Sequence, residues 1–138
     1  MAVTVEPVVE GTWRDVAALR VADDQRRFVA EPTYYLCLCC YGGLWNPLAI
    51  RADDTIVGFL MWAIDPDDDS CWLGGVMIDV AQQARGYGRA AVGATMRMLR
   101  GEQSVSEIAL SYEPDNAIAR RLYRSLGFVE TGEREGDE

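Results

Sequence analysis

Apolar and polar positions suggest a short strand and two helices first, then three strand-like runs, and near residue 86 the period returns to helical spacing. Val3 to Pro7 alternate weakly, as a short strand does. Thr12-Trp13-Arg14-Asp15 has the Thr-x-x-Asp spacing of a helix start and leads into Val16, Leu19 and Ala22. Pro32 interrupts this region, and Thr33 to Tyr41 reads as a second helix. Three strand-like runs follow: Pro47 to Ala52, Thr55 to Ile64, and Cys71 to Val80. The turns between them, Asp53-Asp54 and Asp65-Pro66-Asp67-Asp68-Asp69, are short and acidic, so antiparallel hairpins are expected. From Gly86 to Arg100, Tyr87, Ala91, Ala94 and Met98 sit three or four apart, as on one face of a helix. Ile108 to Tyr112 reads as a strand. Asp115 to Leu126 reads as a helix stopped by Gly127 in the left-handed conformation. Phe128 to Thr131 opens another strand. Hairpins first and crossover helices later predict an α/β (α+β) fold, with a mixed central sheet of about six strands flanked by helices.

Composition narrows the functional classes. A chain of 138 residues is expected to form a single domain over 1–138, and one of this size buries roughly 70% of its unfolded surface. With 49% hydrophobic residues it can build a core without staples. The formal net charge of −9 argues against nucleic acid, whose binding draws on clustered Lys and Arg. The same charge suits a cationic substrate, although surface acids also serve solubility. No apolar run reaches the ~18 residues of a membrane span. Met1 to Glu10 lacks the basic start and apolar stretch of a signal peptide, so a cytoplasmic location is expected. There is no histidine, and Cys37, Cys39, Cys40 and Cys71 lack metal-site spacing, so no metal site is expected. The cysteines read as buried small apolar residues, with a reactive thiol as the alternative.

The candidate chemistry lies where the period changes. The strand ending in Ile78-Asp79-Val80 runs into Ala81-Gln82-Gln83-Ala84-Arg85-Gly86-Tyr87-Gly88-Arg89-Ala90. Two glycines one residue apart, opening a helix, leave backbone N–H groups and the helix dipole facing an anion. Arg85 and Arg89 bracket the turn and add charge-assisted donors. An ordinary tight turn is the alternative for such a glycine pair alone.

Gln83-x-x-Gly86-x-Gly88 resembles the Gln/Arg-x-x-Gly-x-Gly/Ala signature of GNAT acetyltransferases. Asn116-Ala117-Ile118-Ala119-Arg120-Arg121-Leu122-Tyr123-Arg124-Ser125-Leu126-Gly127-Phe128 resembles the Asn-x-x-Ala-x-x-Leu-Tyr-x-x-Leu-Gly-Phe helix of the same superfamily. Phe28-Val29-Ala30, Pro47-Leu48-Ala49-Ile50, Val57-Gly58-Phe59, Met77-Ile78-Asp79, Leu110 to Asn116 and Thr131-Gly132-Glu133 are similar to its bacterial spermine/spermidine (diamine) N-acetyltransferase branch. The resemblance implies acetyl-CoA as cosubstrate and a small-molecule primary amine, with polyamines first, as acceptor. An aminoglycoside acceptor, or an acyl-CoA-binding module without catalysis, are the alternatives.

Carried onto this chain, the resemblance implies that Ile78 and Val80 hold the pantetheine arm, with the Val80 N–H stabilising the oxyanion. Gln83 belongs to the turn, where ordering it without touching ligand is the alternative. Arg85, Gly86, Tyr87, Gly88, Arg89 and Ala90 would cradle the pyrophosphate. Asn116 would contact the cofactor, cap its helix, or both. Tyr123 would protonate the departing thiolate, with core packing as its alternative. The first choice of general base is Glu113, and the second is Asp79. The acidic turn from Asp65 to Asp69 would attract a polyamine, or serve as a solvated turn.

Two departures from the branch stand out. Its second helix carries Ser-Leu-Ala-Glu-Ala, whereas this chain has Tyr35-Leu36-Cys37-Leu38-Cys39-Cys40-Tyr41 without a carboxylate. Such a wall suits a less charged amine, or one with a flat or apolar group, and helix packing is the alternative. The chain also ends in an acidic tail at Glu138 where the family continues into a further strand. The edge left open predicts a homodimer.

Overall fold

A computed structural model describes residues 2–103 and 105–131. The elements run β1 (Val3–Pro7), α1 (Trp13–Ala17), α2 (Pro32–Gly42), β2 (Asn46–Ala52), β3 (Thr55–Ile64), β4 (Cys71–Ile78), α3 (Tyr87–Glu102), β5 (Ile108–Leu110) and α4 (Ala117–Ser125). The strands form one sheet in chain order, β1-β2-β3-β4-β5. The first three pairings are antiparallel, and β4 and β5 pair in parallel. A parallel neighbour needs a crossover, and α3 supplies it.

Alternation along the strands assigns the two faces. Leu48 and Ile50 of β2 pack with Tyr87 and Ala91 of α3. Ala49 between them points the other way, joining Phe59, Met61 and Met77 against Val16 and Leu19. A third cluster gathers Cys71 and Leu73 of β4 with Val92, Met96 and Leu99 of α3 and Tyr123 of α4. Helices therefore cover both faces, and the mixed-sheet expectation holds.

Several local expectations do not. The apolar spacing carries the first helix toward Ala22, but α1 ends at Ala17. The Thr12 hydroxyl accepts the Val9 N–H at 3.0 Å instead of capping the helix, so the Thr-x-x-Asp box is not made. β4 stops at Ile78 and not Val80, because Asp79 caps a 3-10 turn over Val80–Gln82. β5 is shorter than read, ending at Leu110. Phe128 to Thr131 forms no strand; Phe128 packs edge-on against Tyr123, with ring centroids 5.9 Å apart. The described sheet thus has five strands. Of the cysteines, Cys71 is buried and Cys39 partly so, but Cys37 and Cys40 are exposed, contrary to the reading of all four as buried. The tail from Glu133 to Glu138 lies outside the described residues. No helix among the described residues is long and apolar enough to cross a membrane.

Candidate active site

β4 and β5 stay paired only where Cys71, Trp72 and Leu73 face Ile108, Ala109 and Leu110. Beyond that point they part, because β5 ends while β4 continues to Ile78. On its other side β4 remains bonded to β3, with a register shift between Phe59 and Met61. Gly75 sits opposite that shift with φ of +61°, a conformation that glycine adopts without a Cβ penalty. The gap opens into a cavity of about 830 Å3, lined by Gly74 to Ile78 on one side and by Leu110 to Glu113 on the other. That volume falls within the range of small-molecule sites.

The turn after β4 is built by side chains that bind backbone. Asp79 accepts the Arg20 N–H at 2.9 Å through Oδ1 and the Ala81 N–H at 3.2 Å through Oδ2. Both of its oxygens are engaged, and it does not line the cavity, so this geometry does not offer it as a base. The Val80 N–H donates to the Arg20 carbonyl at 2.6 Å, and its side chain is half exposed. Val80 is therefore outside the strand, with its N–H already used. Gln83 Nε2 donates to the Ile78 carbonyl at 2.9 Å and to Gln25 Oε1 at 2.8 Å. Gln83 thus closes the turn onto the end of β4 and onto the segment before α2, while still lining the cavity.

Ala84 and Gly86 both take left-handed φ, +63° and +81°, immediately before α3. Left-handed residues in a turn gather N–H groups into an anion-binding concavity, and the helix start adds its dipole. Protein packing does not explain the bare backbone here. A Cβ on Gly86 would meet nothing within 4 Å, and one on Gly88 would make only ordinary contacts, 3.7 Å to Ile78 and 3.8 Å to Leu122. The room is left on the cavity side, where Gly86, Tyr87, Gly88 and Arg89 line it, and this suits a pyrophosphate. Arg89 is oriented by α4: its Nε donates to Ser125 Oγ at 3.2 Å. Arg85 is exposed and Ala90 donates its N–H to the Gly86 carbonyl; neither lines the cavity.

The opposite wall comes from the loop after β5 and from α4. Asn116 caps α4, its Oδ1 accepting the Ala119 N–H at 3.1 Å, and it also faces the cavity. Glu113 lines the cavity one turn earlier. Tyr123 is buried at 8% exposure yet reaches the cavity lining, with its ring 5.8 Å from that of Tyr112. Burial, with the neighbouring Tyr112, pushes its phenol well above the ordinary value. Tyr123 is protonated at neutral pH, as any phenol is, and the raised value makes it a weaker acid than a free tyrosine.

The structure brings Ile78, Gln83, Gly86, Tyr87, Gly88, Arg89, Glu113, Asn116 and Tyr123 around one cavity and leaves Val80, Arg85 and Ala90 outside it. Sequence reasoning missed Tyr112, Trp45 and Trp72, which also line it. The Gly74-Gly75 pair within a strand was the available signal for the bulge that opens the cavity.

Residues 13–128 match the acetyltransferase (GNAT) family. A spermine/spermidine N(1)-acetyltransferase of Bacillus subtilis (strain 168) is 26% identical over 144 residues, covering 96% of this chain and 91% of that protein. The solved structure of spermidine N-acetyltransferase from Vibrio cholerae, in complex with CoA and spermine, has a TM-score of 0.77 at 18% identity over 94% of this chain and 82% of its own. An aminoglycoside antibiotic 6'-N-acetyltransferase from Acinetobacter haemolyticus has a TM-score of 0.68 at 17% identity, over 96% and 94% of the two chains.

Proposed function

Because the chain belongs to the acetyltransferase (GNAT) family and is an acetyl-CoA-dependent N-acetyltransferase, we propose that its acceptor is a small-molecule primary amine, with polyamines such as spermidine or spermine first among them. The observation that carries this reading is the parting of β4 from β5 beyond Leu73, which joins the anion-binding turn to the Tyr123 wall in one cavity. Bound acetyl-CoA supplies a thioester, and the amine attacks its carbonyl carbon directly.

The residues divide the work by position. Gly86, Gly88 and the start of α3 hold the pyrophosphate through backbone N–H groups, and Arg89 adds its charge. Ile78 presents the free edge of β4 to the pantetheine arm, while Gln83 fixes the carbonyl of Ile78. Asn116 meets the cofactor from the α4 cap. The Tyr123 hydroxyl, which lines the cavity, holds a proton for the departing sulfur. Glu113 takes a proton from the acceptor ammonium, and the neutral amine so formed attacks the thioester carbonyl. The acidic surface supports a cationic acceptor, and the fold alone does not fix which one. The three-residue β5 at the end of the sheet supports association of two copies, which sedimentation at several concentrations tests.

The test is CoA thiol release from acetyl-CoA over a panel of spermidine, spermine, aminoglycosides and amino acids. Turnover with the polyamines is expected, and no turnover with any amine would sink the reading.

A further inference from the structure

The cavity continues past the reacting region toward the β3–β4 turn, and its walls there are rings. Trp45 lies against the bulge: a Cβ on Gly74 would stand 3.3 Å from its Cη2 and 3.4 Å from its Cζ3. Tyr35 covers the next residue, where a Cβ on Gly75 would stand 3.4 Å from two of its ring carbons. Tyr35 is also stacked on Phe59, with centroids 6.0 Å apart and planes 12° from parallel. Trp72, Asp65 and Asp68 line the same cavity.

The polar edges of two of these rings are already used by the protein. The Tyr35 hydroxyl accepts the Ala30 N–H at 3.0 Å. Trp72 Nε1 donates to Ser70 Oγ at 2.8 Å, and Ser70 Oγ donates in turn to Asp68 Oδ1 at 2.6 Å. What this end offers a ligand is therefore ring surface, edged by the Trp45 indole N–H and two carboxylates. A purely apolar guest would not account for the carboxylates at its rim, and α2, which carries Tyr35, has no charged residue of its own. Ring surface under a negative field is the chemistry that receives an onium group, and it does so without hydrogen bonds to the cation.

We propose that Tyr35, Trp45 and Trp72 form a cation-accepting subsite for the non-reacting end of the acceptor. The acceptor is then an amine carrying a second cationic nitrogen across an apolar spacer, and the distal nitrogen is read by ring faces. This rests on the amine-acetyltransferase reading given above and assigns what fixes the acceptor at its far end.

Three acceptors of equal chain length separate the possibilities: a linear α,ω-diamine, the same chain with its distal nitrogen trimethylated, and the same chain ending in a methyl group. The trimethylated acceptor is expected to keep kcat/KM within about threefold of the diamine, since cation–ring attraction needs no N–H. The methyl-ended chain should fall by about tenfold or more, and Trp72→Leu should erase that difference through KM while Trp72→Phe preserves it. The KM for acetyl-CoA should not move, which also shows that Trp72→Leu remains folded. Binding of the trimethylated chain to the CoA complex, followed by tryptophan fluorescence, gives a readout independent of turnover. Ring-dependent binding without turnover would remove the acetyl-transfer reading and leave the subsite standing. Turnover of the diamine with loss on trimethylation, or equal loss of all three acceptors in Trp72→Leu, would overturn the subsite.

Discussion

The Tyr112 hydroxyl donates to Glu130 Oε1 at 2.9 Å, tying the loop after β5 to the segment that follows α4. The same carboxylate oxygen receives Arg124 Nη2 at 3.2 Å and lies 3.2 Å from Arg120 Nε. Arg120 Nη2 meanwhile donates to the Pro114 carbonyl, next to Glu113. A segment expected to pair as a strand instead pins α4, and with it Tyr123, against the β5 loop.

These donors hold the Glu130 carboxyl below the ordinary carboxylate range, with the Tyr112 hydrogen bond as the largest cause. A depressed folded-state pKa contributes stability above the unfolded value, and that contribution disappears as pH falls through the folded value. Glu130→Gln is therefore expected to lower Tm at pH 7, and the deficit should shrink as pH falls below the ordinary glutamate value of about 4.3 and vanish below the lowered folded value. The group is half exposed, so the effect is small. Thermal denaturation of both proteins across this range measures it, and an equal deficit at pH 3 would remove the charge from the explanation.

Tyr123→Phe deletes one hydroxyl while keeping the ring contacts with Tyr112 and Phe128. We expect kcat to fall by about 10²–10⁴-fold, with little change in the affinity for CoA measured by calorimetry. An unchanged kcat would leave Tyr123 a packing residue.

Two glycine substitutions should separate packing from ligand approach. In Gly58→Ala the new Cβ presses on the Met77 carbonyl oxygen and on Ile78, inside the sheet, and about 1–3 kcal/mol of stability should be lost. Gly86→Ala meets no atom but must hold φ at +81°, at a cost of roughly 1–2 kcal/mol. The second should weaken CoA binding out of proportion to its stability cost, and urea denaturation beside calorimetry distinguishes them.

Cys37 and Cys40 are exposed on α2, Cys71 is buried, and burial pushes the Cys39 thiol up to about 11. The thiolate is the reactive form, so Cys39 and Cys71 should react slowly with an aromatic disulfide reagent at pH 8. The fast phase should belong to Cys37 and Cys40, as peptide mapping after brief alkylation would report. Early labelling of Cys71 would contradict its placement.

The sequence by itself determined the element order as far as α4, the glycine turn at Gly86 and Gly88, and the α4 signature around Tyr123. These are local properties, since hydrophobic period, left-handed positions and helix caps depend on neighbours a few residues away. It also indicated the Thr55–Ile64 strand, whose bounds coincide with those of β3. What it could not express were choices made between distant segments. The Val80 N–H went to Arg20, Thr12 went to Val9, and Glu130 gathered Tyr112 and two arginines in place of a strand. The first and last of these took partners brought close only by folding, whereas Thr12 exchanged one local partner for another three residues away. The cavity follows the same logic: Gln83 meets Gln25, and Trp45 meets Gly74, only after the sheet has formed and the helices have packed on it. Chain-local rules therefore fix which residues can carry the chemistry. Tertiary contacts decide which of them face the cavity, because each backbone donor or side chain takes the partner that the packed fold brings within reach.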